Sequence, residues 1–481
     1  HDVNAMLLYN QDELVNNVPG NNLINSLPKR KQGLAGRLSY AYDGKYMAEV
    51  NMGYNGSENF AKGHRWGFFP SIALGYNISE ESFFEPLRKV ITSMKLRGSW
   101  GLVGNDQIGG ERFIYMPTIN LSGKGFTTGI DQNYGLSGPV YTRYENNSIT
   151  WEVGEKINLG IDLQLLNSLN IVVDIFRETR RDIFQKKGTI PTYLGTGNTD
   201  VFGNLAEMKN QGLDLSIDYN KAFSKDFYMN FKGTFTYAHN EITKYDEAPK
   251  YAFQSKVGQS ANVSQGYLSN GLFLDEAEID RYNQQMGSTL GAGDIKYLNV
   301  SNMHGYGDDI VDVDDWTWIG NPTVPEIVYG FGPSFKYKNW DFSFFFQGVA
   351  KTSLFMSGFH PFGDNSLRNV LQFVANDRWS PTNQNVDAKY PRLTRKTSLN
   401  NTNPGNSGRT SDYWMRDGSF LKLKNMELGY TFKRMRFYIS GSNLLTFSKF
   451  DLWDPEQGGG SGLKYPTQRV FNVGFQMTFN N

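Results

Sequence analysis

The 481-residue chain has 48 basic (Lys and Arg) and 48 acidic (Asp and Glu) residues, so its formal net charge is zero. This balance excludes the basic surface that nucleic-acid binding requires, and the absence of cysteine excludes disulfide scaffolds and thiolate chemistry. No run of about 18 apolar residues occurs, which excludes a membrane-spanning helix.

Alternation of apolar and polar residues with a period of two predicts an all-β protein. In chain order the predicted strands lie at 34–42, 45–54, 67–78, 93–103, 155–165, 169–181, 211–221, 226–239, 326–337, 340–351, 419–431, 435–446 and 468–479. Many of these thirteen strands reach the length of about ten residues that a tilted strand needs to cross a bilayer. Near Asn425 the alternation slips by one residue, which predicts a β-bulge.

The connections between these strands alternate between long and short. The long ones lie near 1–33, 104–154, 182–210, 240–325, 352–418 and 447–467. Outer-membrane barrels combine short periplasmic turns with long external loops. The alternation therefore predicts a transmembrane antiparallel β-barrel whose long loops are extracellular.

An odd number of strands predicts that the barrel is incomplete, because bacterial single-chain barrels have even counts. The chain also opens with His1-Asp2-Val3 instead of a basic and apolar leader. We therefore expect residues 1–481 to be the C-terminal part of one longer barrel protein.

Several short motifs recur in a consistent order along nearly the whole chain. They are Arg65-Trp66-Gly67-Phe68-Phe69-Pro70-Ser71, Leu96-Arg97-Gly98-Ser99-Trp100-Gly101, Lys209-Asn210-Gln211-Gly212, Ile319-Gly320-Asn321-Pro322, Arg378-Trp379-Ser380-Pro381, Asp417-Gly418-Ser419-Phe420-Leu421-Lys422-Leu423-Lys424-Asn425, Gly441-Ser442-Asn443-Leu444-Leu445-Thr446-Phe447 and Asp454-Pro455-Glu456. In these motifs the chain resembles the SusC/RagA family of TonB-dependent outer-membrane transporters from Bacteroidetes.

The resemblance implies a barrel of about 22 strands with an N-terminal plug domain that is absent from this sequence. It also implies a SusD-like lipoprotein partner, contact with TonB through the missing N-terminal part, and a dimer of transporter–lipoprotein pairs in outer-membrane lipid. The cargo would be a large nutrient, either an oligosaccharide or an oligopeptide.

No pattern in the sequence indicates an enzyme. The five histidines have no metal-ligand spacing, and no nucleophile elbow or phosphate-binding loop follows a strand.

One acidic segment, 299–318, stands where related transporters often carry a loop that resembles a calcium site. It departs from that pattern, because Asn299, Ser301 and Asn302 occupy the early positions and Gly307-Asp308-Asp309 is displaced. It still offers Asp308, Asp309 and Asp312 as candidate ligands of a structural calcium ion. The favoured alternative is an ordinary solvated acidic loop.

Six aromatic residues of the long loops are candidate contacts for substrate or lid protein, because flat aromatic faces stack on cargo. They are Tyr306, Trp316, Trp318, Trp379, Trp414 and Trp453. Packing within the loops is the alternative role for these side chains.

We expect active import of a large nutrient through the barrel. The main alternative is a soluble or surface-attached β-rich glycan-binding protein, which would be equally aromatic but would lack the alternating loop lengths and the lipid-facing strands. A passive porin is a third alternative, which the motifs make less favourable.

Overall fold

The computed structural model describes residues 1–16, 26–107, 112–191, 193, 199–282, 284–285, 290–306, 308–359, 362, 369–395, 401 and 410–479. The chain forms two compact units. The first contains His1–Ile217, Ala238–Ala248 and Lys256–Gln259, and the second contains Asp218–Tyr237, Pro249–Ser255 and Ser260–Asn481.

Long antiparallel strands dominate both units. The strands up to residue 186 are β1 (Asp2–Leu14), β2 (Lys29–Tyr42), β3 (Tyr46–Ser57), β4 (Trp66–Asn77), β5 (Ile91–Asn105), β6 (Thr118–Thr128), β7 (Tyr134–Arg143), β8 (Glu152–Leu165) and β9 (Leu169–Lys186). Then come β10 (Phe202–Ala222), β11 (Phe227–Lys244), β12 (Ser264–Gly266), β13 (Ser269–Leu272), β14 (Gln284–Gln285), β15 (Ile295–Tyr297), β16 (Ile310–Val311) and β17 (Thr317–Ile319). The last strands are β18 (Ile327–Tyr337), β19 (Trp340–Ala350), β20 (Ser353–Phe355), β21 (Met415–Asp417), β22 (Phe420–Phe432), β23 (Met435–Ser448) and β24 (Val470–Met477).

Fourteen of these strands form the main sheet, in the order β1-β2-β3-β4-β5-β8-β9-β10-β11-β18-β19-β22-β23-β24. Each of the thirteen strands predicted from the sequence corresponds to one of them. Strand neighbours in the sheet are also successive along the chain, apart from the hairpin β6–β7 and the short strands that lie within the long loops. This up-and-down order is the topology that alternating polarity and alternating loop lengths predict.

The prediction of a loop over residues 1–33 is wrong, because β1 occupies Asp2–Leu14 and pairs along its length with β2. The sequence hides this strand because Met6-Leu7-Leu8-Tyr9 is a continuous apolar run that interrupts the alternation. The side-chain pattern does not show the register of this strand. The register is set by backbone pairing with β2, in which Leu7 lies opposite Gly36.

Other predicted loops also contain regular structure, and in two of them it consists of long strands. The loop predicted at 182–210 is shorter, because β9 continues to Lys186 and β10 already begins at Phe202. Charged residues such as Arg180 and Arg181 end the apolar alternation, although the backbone ladder continues beyond them. The loop at 104–154 contains the separate hairpin β6–β7.

The predicted bulge is confirmed. The pairing of β22 with β23 shifts between Leu423 and Asn425, and the pairing of β19 with β22 shifts at the same place, between Phe345 and Phe346. Lys424 is the extra residue that the shift leaves over.

Helical structure is confined to short segments. The α-helices are Glu276–Ile279, Val300–Met303 and Gln372–Asn376, and the 3₁₀ helices are Ile78–Glu80, Ser82–Leu87, Ala252–Gln254, Val313–Asp315, Asp412–Trp414 and Pro455–Gln457. Within the described ranges, none of the helices has the length and apolarity needed to cross a bilayer.

Candidate functional site

The strands of the second unit separate an apolar face from a charged face. Phe342, Phe344 and Phe346 follow one another on the same side of β19, with adjacent ring centroids 5.6 and 5.8 Å apart. Phe344 lies opposite Met426 of β22. Because successive residues of a strand point to opposite faces, the residues between these phenylalanines belong to the other face.

The opposite face carries a charge network. Arg436 of β23 contacts Asp341 of β19, and its Nη2 lies 2.6 Å from Oε1 of Glu427 on β22. A sheet with one apolar face and one ionic face is suited to separate lipid from a wet interior.

The first unit repeats this division. Arg97 of β5 donates to Asp162 of β8 at 2.7 Å and to Asp174 of β9 at 3.0 Å. On the other face, Trp100 of β5 is aligned with Ile157 of β8. These ion pairs thus connect three adjacent strands along one face.

Aromatic residues concentrate where the strands meet the short turns. In the first unit Tyr46 stacks on Tyr76 with centroids 5.1 Å apart, and Tyr42 lies 6.4 Å from Tyr46. In the second unit Trp340 lies 4.7 Å from Tyr430. Aromatic girdles of this kind mark the boundary between lipid and water in outer-membrane barrels.

The long loops of the second unit fold around a hydrophobic core of their own. Its buried members are Tyr267, Leu272, Ile295, Tyr297, Val311, Leu354, Met356, Phe359, Phe362, Val374, Trp379, Ala388, Tyr390, Trp414 and Phe450. We call this cluster the loop core. It joins residues of three loops, those after β11, β19 and β23, so these loops form a packed layer at one end of the strands.

Two of the six candidate contact residues are members of the loop core. Trp414 is fully buried, with its ring 5.1 Å from that of Phe362, and Trp379 is 5% exposed. Neither indole N–H has a hydrogen-bond partner in the described part of the chain. In this structure both side chains pack within the loops and present no face to a cargo.

Trp453 and Trp318 are held at the margin of the loops by hydrogen bonds. Trp453 packs against the loop core and donates from Nε1 to the Gly458 carbonyl at 3.0 Å. Trp318 lies in β17 and donates to the Ser255 carbonyl at 2.9 Å. Both indoles are therefore fixed in orientation.

Tyr306 and Trp316 are the exposed candidates. Tyr306 is 49% exposed, and its ring centroid lies 4.3 Å from that of Tyr251. Phe253 stacks on Tyr251 at 5.5 Å and on His304 at 4.6 Å, which the sequence pattern did not indicate. These two candidates are the ones that remain available to a partner or a cargo.

In the acidic segment 299–318, the carboxylates accept hydrogen bonds from backbone amides of the same segment. Asp308 accepts from the Ile310 amide at 3.2 Å, and Asp312 accepts from the Asp314 amide at 2.8 Å. The fully buried Asp315 accepts from the Ser301 and Asp312 amides, although burial on balance raises its pKa above the ordinary value.

Across the described ranges, no group of three or more His, Cys, Asp or Glu residues is placed to hold a metal ion. The calcium hypothesis for Asp308, Asp309 and Asp312 stays a prediction. A calcium titration of the purified protein, followed by the protection of residues 299–318 from hydrogen exchange, would test it. Gly307, part of the same hypothesis, lies outside the described residues.

A buried ion cluster is a feature that the sequence reasoning missed. Lys422 of β22 is 1% exposed and contacts Asp454 and Glu456 of the last loop, with Nζ 2.9 Å from Glu456 Oε2. Lys424 lies 2.7 Å from the other oxygen of Glu456. We call these four residues the lysine–carboxylate cluster. The two motifs that supply them were visible in the sequence, but nothing there showed that they meet.

Comparison with known proteins identifies the family. The family model described as TonB dependent receptor-like, beta-barrel, matches residues 2–444. TonB-dependent receptor P3 of Formosa agariphila is 27% identical over 92% of this chain and 45% of its own length. TonB-dependent receptor SusC of Bacteroides thetaiotaomicron is 28% identical over 92% of this chain and 43% of its own length.

A solved structure shares the fold. The RagAB peptide transporter superposes with a TM-score of 0.69 at 20% identity, over 94% of this chain and 48% of the compared chain. The present chain thus spans about half the length of the relatives it matches. The family match and the likeness to SusC confirm the resemblance seen in the sequence and identify an outer-membrane protein. The chain belongs to the TonB-dependent receptor-like β-barrel family, among relatives of the SusC/RagA type.

Proposed function

We propose that this chain forms barrel strands and extracellular loops of an importer. The importer moves a large nutrient across the outer membrane with energy from TonB. The observation that carries the proposal is the two-faced sheet: aromatic residues on one face, ion networks on the other, and long packed loops at one end of the strands. A barrel built this way offers a wet interior below a structured capture surface.

A SusD-like lipoprotein is the partner we propose for the long loops. Loops of this size are either functional or disordered, and the loop core shows that these are packed. The ring cluster of Tyr251, Phe253, His304 and Tyr306 lies outside the loop core, and its exposed members His304 and Tyr306 are available for contact with such a lid. Contact with TonB would be made by a part of the protein outside this sequence.

The test of the proposal is uptake in cells. We expect accumulation of the nutrient to stop when the gene is deleted, when TonB is removed, and when an uncoupler dissipates the proton-motive force. Uptake that continues in uncoupled cells would contradict active import and would favour passive diffusion.

The partner is tested separately by purifying the tagged protein from detergent-solubilised outer membranes. Mass spectrometry should find a SusD-like lipoprotein in near-stoichiometric amount. Replacing Tyr306 and Phe253 by alanine should reduce this recovery. The matched control replaces Phe184 and Phe202, which are partly buried and stack on each other at 5.0 Å in the first unit, and it should leave the recovery unchanged in any protein that still folds. Recovery of the transporter alone would contradict the partner proposal.

A further inference from the structure

A cavity of ≈ 630 Å³ lies in the second unit where β19 and β22 meet the long loops. Gln347 and Val349 of β19 and Phe420 of β22 form its floor. Val349 pairs with Phe420 in the sheet, and both belong to the same face as Lys422. This is the charged face, so the cavity opens on the side that would line the interior of a barrel.

Most of the cavity wall is apolar. The apolar lining residues are Pro325, Val349, Leu354, Phe355, Phe420 and Pro455. Leu354 and Phe420 are buried, which leaves their side chains as fixed walls and not as mobile surface groups. Such a lining favours an apolar group of the ligand, because hydroxyl groups placed against it would lose water without gaining partners.

Two amide groups in the lining have unused hydrogen-bonding capacity. In the described part of the chain, the Gln347 carboxamide and the backbone N–H and C=O of Gly459 have no hydrogen-bond partner. Gly459 must be glycine, since a Cβ there would lie 2.5 Å from the Phe355 carbonyl oxygen. The Gln347 side chain and the Gly459 backbone each offer a donor and an acceptor, the groups that a peptide unit of a ligand needs.

The only carboxylate among the described residues of the lining is already neutralised. Glu456 lies at the cavity, and its two oxygens contact the ammonium groups of Lys422 and Lys424 at 2.9 and 2.7 Å. The cavity therefore offers no unpaired charge from this group, and an uncharged ligand group is the best match.

We propose that this cavity is a cargo subsite that takes an apolar side chain of an oligopeptide, with the adjoining peptide unit bonded to Gln347 and Gly459. The inference rests on the proposed import function and adds the substrate class to it. An oligosaccharide would bring several hydroxyls per ring to a lining in which the hydroxyls of Thr323, Thr352 and Ser353 already bond to other protein groups, so the lining disfavours it.

The experiment uses the protein purified from outer membranes in mild detergent, together with any partner that stays bound. The probes are a tryptic digest of casein and, separately, maltoheptaose. The wild-type protein should retain casein peptides, with peptides rich in Leu, Ile and Phe enriched at least fivefold. Maltoheptaose at the same mass concentration should not displace them.

Two variants address the subsite directly. Val349→Trp fills the cavity and should lower peptide retention at least tenfold. Gln347→Ala removes one hydrogen-bonding amide without filling the space and should lower it about fivefold. The matched control is Val473→Trp, the same substitution at an 88% exposed position on the opposite face of β24, which should retain peptides like the wild type.

Three results would overturn the subsite. These are retention unchanged in Val349→Trp, retention without enrichment of apolar peptides, and displacement of the peptides by maltoheptaose. If energised uptake persists in cells while Val349→Trp binds like the wild type, the subsite is wrong and import stands. If uptake proves independent of TonB while Val349→Trp still abolishes binding, import is wrong and the subsite stands.

Discussion

At the scale of single residues, Lys422 is the side chain whose removal should lower the free energy of unfolding the most. It is a buried cation that faces two carboxylates, and only Glu456 has a second cationic partner in Lys424. Lys422→Met would leave Asp454 without its cation. We expect a loss of stability of about 3 kcal/mol, the lower end for breaking a buried pair, because the carboxylates keep some solvent contact. Urea unfolding in liposomes measures this change.

Lys424→Met is the matched control for that substitution. Its side chain is 24% exposed and contacts Glu456 alone, so we expect its replacement to cost less than about 1 kcal/mol, as for pairs that keep contact with solvent. Equal losses in the two variants would show that the burial of Lys422 has no energetic consequence.

At the scale of elements, the lysine–carboxylate cluster fastens the loop 449–469 to strand β22. Burial pushes the pKa of Asp454 and of Glu456 upwards, but hydrogen bonds from the lysines prevail and hold both pKa values below the ordinary range. A carboxylate with a lowered pKa in the folded state stabilises it at neutral pH, and that contribution is lost as the pH falls through the folded pKa. We expect the loop to loosen only below about pH 4.

Hydrogen exchange of residues 449–469, corrected for the intrinsic pH dependence of exchange, measures this loosening. The β22–β23 ladder provides the internal reference, since its backbone bonds do not titrate. In Lys422→Met the loop should already exchange faster at pH 7 and should show a smaller acid transition. An acid transition of wild-type size in that variant would assign the effect to other carboxyl groups.

Thirteen of the fourteen strands of the main sheet were predictable from the sequence, whereas β1, the hairpin β6–β7 and the loop core were not. The alternation of apolar and polar residues along β19 or β22 shows which residues lie on each face of the sheet. Even the bulge at Lys424 is visible as a slip in this alternation. Trp379, Tyr390 and Trp414 follow no period, because they converge from irregular segments that only the folded chain brings together. Aromatic content could therefore mark them as candidates but could not separate packing from binding.

At the scale of the whole molecule, the assignment of faces makes a prediction about membrane insertion. Phe344 and Ser343 are neighbours in the middle of β19 and point to opposite faces. If the phenylalanine face contacts lipid, Phe344→Arg should destabilise the barrel by about 2–4 kcal/mol and reduce its amount in the outer membrane. Ser343→Arg should be tolerated, because that face already holds Asp341, Glu427 and Arg436 in water.

Folded barrels resist unfolding in cold detergent and migrate differently from boiled samples in gel electrophoresis, so the folded fraction of each variant can be read from one gel. The pair of arginine variants adds the same charge at adjacent positions and differs only in the face that receives it. A larger loss for Ser343→Arg than for Phe344→Arg would reverse the assignment of the faces. It would also remove the cavity above Val349 from the barrel interior, since Ser343 and Val349 share one face of β19.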